Sequence, residues 1–230
     1  MNVTDPKSVY AFKPEFFDGA LFDLRILSHR EFMSIESSLG VGGGLVRTGW
    51  QKILATRFGL VGWEGVVDHV GSVVDFFTGR DGYVDFSLLD RLPFTAVSVI
   101  AQEIMRNSRL SEEQSRSLRL GCHLDSFADF DCQSCELLPA HIRQMRGCES
   151  PAPCPVFNLN GEDYFRCPWK VVLPLTYECL GAYQFYKDGI LPTSGGLYDQ
   201  SAMFVQSMLV LKSEFADRQA KMSKRGRHGT

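Results

Sequence analysis

Cysteine placement constrains this chain more than any other feature. Five of its seven cysteines, Cys132, Cys135, Cys148, Cys154 and Cys167, fall within one 36-residue stretch. Five of the ten prolines (Pro139, Pro151, Pro153, Pro155 and Pro168) share that region. Each proline lacks a backbone donor and restricts the residue before it, so little regular structure is expected over 139–168. Such a segment builds little apolar core and needs another source of order. Bound metal can supply it, because metal-binding free energy then becomes folding free energy.

The spacing suits zinc. Cys132 and Cys135 are separated by two residues, so one tight turn can aim both thiolates at a single ion. Cys148 follows after 12 intervening residues and Cys167 after 18 more. Tetrahedral structural zinc takes four thiolates at about 2.3 Å. The expected ligands are therefore Cys132, Cys135, Cys148 and Cys167, with Cys154 or His141 as possible replacements for one of them. Four thiolates close the coordination sphere, so the zinc is expected to be structural and not catalytic. An odd cysteine number fits poorly with a closed disulfide framework. Cys122 and Cys179 lie outside the cluster and read as ordinary buried thiols.

The rest of the chain reads as an α+β protein: a small antiparallel sheet with helices, a zinc-knuckle connector, then a helical C-terminal part. The expected segments are 1–121, 122–168 and 169–230. Phe22, Leu24 and Ile26 alternate along a strand. Ser28 and Glu31 form a capping box that opens a helix to Ser38, stopped by Gly40. Residues 40–44 read as a glycine loop. Short β-branched and aromatic runs from Ile53 to Phe76, broken by glycine, predict a meander with a turn at His69-Val70-Gly71-Ser72. Pro93 suits a first helical position. After it, Phe94, Val97, Ile100, Ala101 and Ile104 recur at helical spacing as far as Asn107 and Ser108. Ser111 and Gln114 make a second capping box, opening a helix to Leu120. A helix is expected after Pro174, ended by Gly189. The last helix should start near Asp199 with the stripe Phe204, Met208, Leu211 and Phe215. The basic residues Lys221, Lys224, Arg225 and Arg227 should form a frayed tail. Each apolar stripe is either internal core or a face for a partner helix.

Composition narrows the function. The formal net charge is −3, which argues against a globally basic nucleic-acid binder. No apolar run approaches the ~20 residues that cross a bilayer, and the first twenty residues carry no secretory pattern, so a soluble cytoplasmic protein without a membrane role is expected. The chain holds no H-E-x-x-H pattern and no G-x-S-x-G elbow. The glycines at 40–44 lack the following Lys-Ser/Thr of a nucleotide loop. The histidines read as surface or turn residues, and no enzyme activity is expected.

Several phrases resemble a known group of proteins. Phe22-Asp23-Leu24-Arg25-Ile26-Leu27-Ser28, Gly62-Trp63-Glu64-Gly65-Val66 and Asp90-Arg91-Leu92-Pro93 form one set. Cys132-x-x-Cys135, Arg146-Gly147-Cys148, Arg166-Cys167-Pro168, Tyr186-Lys187-Asp188-Gly189, Leu191-Pro192, Gly195-Gly196 and Asp199-Gln200 form another. Together they resemble tail-morphogenesis proteins of tailed bacteriophages and prophages, of the tail-assembly-chaperone kind, carrying a cysteine-rich knuckle. Cys154 and the glycine loop depart from that pattern and leave the fourth ligand open. The resemblance implies a non-enzymatic factor acting in the host cytoplasm on phage tail proteins, namely tape-measure and tube subunits. The alternative is a zinc-binding, nucleic-acid-interacting regulatory module, with Arg143, Arg146, Arg166 and Lys170 among Tyr164, Phe165 and Trp169. Glu136, Glu149, Glu162 and Asp163 offset those cations and make nucleic acid the less expected partner.

Overall fold

The computed structural model describes residues 8–15, 17, 19–38, 44–68 and 70–227. It is an α+β fold. Contacts divide the described chain into two compact units. One holds the residues up to Leu110 together with Leu191–Gln206. The other holds Ser111–Ile190 and the residues from Ser207 onward.

Three antiparallel strands organise the first unit: β1 (Val9–Phe12), β2 (Leu21–Arg25) and β3 (Leu60–Glu64), in the order β1-β2-β3. The alternation read in the sequence sets the central strand, since Phe22 and Leu24 point inward and are fully buried. Phe22 pairs with Phe12 on one side and with Trp63 on the other. β1 itself was not expected from the sequence. Helix α1 (His29–Ser37) opens on the anticipated capping box: Ser28 Oγ accepts from Glu31 N at 3.3 Å, and Ser28 N donates to Glu31 Oε2 at 2.9 Å. The Gly40 stop lies outside the described residues.

The expected meander is corrected in its first run. Residues Gly44–Gly59 form helix α2, so Ile53 to Gly59 are helical and only Leu60 onward is strand. Packing overrides local preference here: Ala55 and Thr56 are fully buried, and Thr56 Oγ1 donates to Val97 O at 3.1 Å. Most of the glycine loop, 40–43, lies outside the described residues, and Gly44 is already helical. Farther on, a turn stands where one was expected. Asp68 Oδ1 accepts from Val70 N and Ser72 N, and Val67 bridges Val73. His69 is outside the described residues.

Helix α3 (Phe86–Leu89) precedes α4 (Phe94–Ser108). Pro93 is the N-cap of α4 and not its first residue. Of the α4 stripe, Val97, Ile100, Ala101 and Ile104 are core, while Phe94 is exposed. Trp63 closes this core from β3, packing edge-on against Phe22 and Phe76 and donating Nε1–H to Val74 O at 2.7 Å.

The second unit begins with α5 (Glu112–Gly121), capped by Ser111 and Gln114 as expected. A 3-10 stretch, Leu124–Phe130, is kinked at Phe127. Then come α6 (Cys132–Glu136), α7 (Ala140–Met145), β4 (Phe157–Leu159), β5 (Glu162–Tyr164), α8 (Pro168–Val171) and α9 (Pro174–Lys187). Short elements occupy parts of 139–168, while 146–156, with Pro151, Pro153 and Pro155, carries no helix or strand, as expected. The prolines sit where they do no harm: Pro139 is the N-cap of α7, and Pro168 is the first residue of α8. Between β4 and β5, Asn160 (φ 54°) and Gly161 (φ 87°) make a two-residue turn with both central residues left-handed. Asn-Gly favours this hairpin geometry, and the dipeptide is visible in the sequence.

Phe157 stacks on Tyr164 at 4.6 Å and Phe127 leans on Phe157 at 4.7 Å. Leu120, Tyr164 and Val172 form the small core beneath them. Helices α5 and α9 are joined by buried hydroxyls: Ser117 Oγ lies 2.6 Å from Thr176 Oγ1 and accepts from Leu173 N at 2.7 Å. The last helix, α10 (Ala202–Arg227), starts after a 3-10 turn at Leu197–Asp199 and runs on to Arg227 instead of fraying after Ala220. Phe204, Met208 and Leu211 on its stripe are buried. Both apolar stripes are thus largely core. Among the described residues no helix is long and apolar enough to cross a membrane.

Candidate metal centre

The first half of the candidate centre is the opening turn of α6. Asp131 caps it, its Oδ2 accepting from Ser134 N at 2.9 Å and from Ser134 Oγ at 2.7 Å. That cap fixes the backbone carrying Cys132 and Cys135. Three residues apart on a helix, the two share a face. Cys132 is exposed and Cys135 is buried.

The second half is built by close backbone approach. Helix α7 ends at Arg146, and Gly147 takes a left-handed turn, φ +66°. Cys148 N then donates back to Arg143 O at 3.3 Å. Opposite lies the stretch after β5, where Cys167 N donates to Gly147 O at 3.4 Å. Cys148 and Cys167 thus spring from adjoining backbone. Cys167 is also the N-cap of α8. Lys170 N donates to the Cys167 carbonyl oxygen at 2.9 Å, and the Cys167 side chain makes no cap hydrogen bond.

The four expected ligands influence one another electrostatically in pairs. Burial pushes the Cys148 thiol up, and Cys135 and Cys132 add to that, while Arg146 and Lys170 pull the other way. Burial also raises Cys167. The Trp169 and Lys170 N–H groups oppose this, and Cys148 and Cys132 reinforce it. Tyr177, raised by burial, feels Cys132 and Cys167 as well. The four cysteines do not form a closed ligand shell. Among the described residues no three His, Cys, Asp or Glu side chains are gathered closely enough to hold a metal ion as they stand. All seven cysteines are free thiols. The two considered replacements, Cys154 and His141, are exposed.

Cys122 and Cys179 are buried. Burial, with Glu214 adding and Arg218 opposing, pushes Cys122 up to about 12, which keeps it a protonated, unreactive thiol.

Two features of this unit were missed in the sequence. Arg146 Nη1 donates to Cys135 Sγ at 3.0 Å and to Asp129 O at 2.8 Å. Its position two residues before Cys148 was the available signal. His123, in a turn, is no bare surface residue: its Nε2 lies 2.8 Å from Glu214 Oε1, which also accepts from Asn160 Nδ2 at 3.1 Å. Glu214 lies 91 residues away along the chain, so no local pattern announces the pair.

No protein-family model, curated protein or solved structure matches this chain.

Proposed function

We propose that this chain is a non-catalytic protein-interaction factor, its second unit ordered by a structural zinc ion held by Cys132, Cys135, Cys148 and Cys167. The observation that carries the zinc reading is the meeting of the Gly147–Cys148 and Arg166–Cys167 backbones beside the capped Cys132–Cys135 turn. As they stand, no three of these side chains among the described residues are gathered to hold an ion, so the sulfurs must converge on binding. Binding would draw the sulfurs to about 2.3 Å from the ion.

The place of action proposed is phage tail assembly, with tape-measure or tube subunits as partners, and it rests on the sequence phrases that resemble such proteins. Exposed aromatic surface on the first unit supports a binding role. Trp50 and Phe86 stack at 5.9 Å, and the Arg57 guanidinium lies 4.3 Å from the Phe86 ring centroid. Phe94 is 59% exposed beneath Lys52. Trp, Tyr and Arg are the residue types that most often carry binding energy at interfaces.

Two measurements test the reading. Metal analysis of purified protein should find about one zinc per chain, and natively folded protein with only a trace overturns the zinc centre. Co-expression with a tape-measure protein should keep that partner soluble and yield a complex that elutes together. Unchanged solubility with no co-elution overturns the assembly role.

A further inference from the structure

Four thiolates around Zn2+ leave a net charge of −2, and a partly buried site must offset it. The structure supplies one cation in direct contact with a candidate ligand. Arg146 Nη1 sits 3.0 Å from Cys135 Sγ and 2.8 Å from the carbonyl oxygen of Asp129, and its Cζ lies 5.2 Å from the Phe130 ring centroid. Asp129 and Phe130 immediately precede the Asp131 cap of the Cys132–Cys135 turn. Arg146 also ends α7, two residues before Cys148. One guanidinium therefore holds the approach to the first cysteine pair, touches a sulfur of that pair, and shares a turn with the third cysteine.

We propose that Arg146 is the positioning residue and counter-charge of the thiolate centre, donating a charge-assisted hydrogen bond to Cys135 Sγ that orients the sulfur and offsets part of the net negative charge at the metal. The inference rests on the zinc reading above. Guanidinium suits the task better than ammonium. It is permanently charged, weakly hydrated and planar, so it can lie on Phe130 while its edge donates to both Asp129 O and Cys135 Sγ. Partners of this kind beyond the direct ligands are worth about 10–100-fold in metal affinity.

The test uses the full chain and two probes, Zn2+ and Co2+. Zinc affinity is read by competition with a chromophoric chelator, and the thiolate-to-cobalt charge-transfer band by absorption. Arg146→Gln should weaken zinc about 10–100-fold and shift the cobalt band, because a hydrogen bond to a ligating sulfur changes its donor strength. Arg146→Lys should recover part of the affinity and leave the band displaced. A merely structural residue would lower stability and leave the band in place. Should Arg146→Gln fail to fold, Arg146→Lys decides: a shifted band with weaker binding supports the role, and wild-type values overturn it. Wild-type protein that takes up neither ion overturns the zinc reading itself. Wild-type protein that binds, with both variants matching it in affinity and band, overturns the role of Arg146 alone.

Discussion

Gly147 meets Arg166 so closely that a β-carbon on the glycine would stand 2.6 Å from Arg166 Cα, and as near to the Phe165 carbonyl oxygen. Both neighbours are backbone and cannot swing aside. The contact is where the chain carrying Cys148 is laid against the chain carrying Cys167.

Gly147→Ala should therefore destabilise the second unit by about 2–3 kcal/mol, combining a left-handed φ with a backbone clash. Urea unfolding measures it, and a loss below about 0.5 kcal/mol would show that the approach is looser than described.

Individual Cys→Ser changes at positions 132, 135, 148 and 167 should each reduce bound zinc, whereas Cys154→Ser should leave it unchanged. Strong chelators should lower the melting temperature of the wild type and have little effect on the four depleted variants. Retained zinc in Cys148→Ser, lost in Cys154→Ser, would put Cys154 in the ligand set instead.

Stability of the first unit should fall on acidification through Glu31. Burial alone would raise this carboxyl. The hydrogen bonds and charge of Arg25, with Ser28 N–H and the Tyr83 hydroxyl, outweigh burial and hold it below its ordinary value of 4.5. Arg25 donates twice, at 3.0 and 2.5 Å. Because the folded value is depressed, the contribution is fully present above the unfolded value. It is lost as pH falls from there through the folded one. Arg25→Met should cost about 3 kcal/mol at neutral pH by stranding the carboxylate. Glu31→Gln should flatten this part of the acid limb, and an unchanged limb in that variant would refute the assignment.

Ser117→Ala should cost about 1–3 kcal/mol, since it leaves the part-buried Leu173 N–H and the buried Thr176 hydroxyl without their partner. Thr176→Val should cost less, because Ser117 Oγ keeps the Leu173 N–H. In a double-mutant cycle the two changes should couple by more than about 0.5 kcal/mol. Additive effects would mean that the hydroxyls do not act together.

What could be read from the sequence was local chemistry. The capping boxes at Ser28 and Ser111 are satisfied within four residues, so their signal needs nothing else from the fold. The alternation of Phe22 and Leu24 needs only a face to bury. The grouping of Cys132, Cys135, Cys148 and Cys167 is likewise plain in spacing. Other features depend on distant chain. Helix α2 could not be told from a strand until its contact with α4 was known, because β-branched and aromatic residues suit either state and only burial of Ala55 and Thr56 against Val97 selects the helix. The strand Val9–Phe12 exists because Phe22 and Leu24 offer it a partner. Arg146 meets Cys135 and the Asp129 carbonyl through tertiary contact, 11 and 17 residues back along the chain. Residue types and spacing thus determined the caps, the strand alternation and the candidate ligands. Tertiary structure alone decided which backbones abut and which cation faces which sulfur, because those contacts join residues far apart in the chain and leave no periodic trace in it.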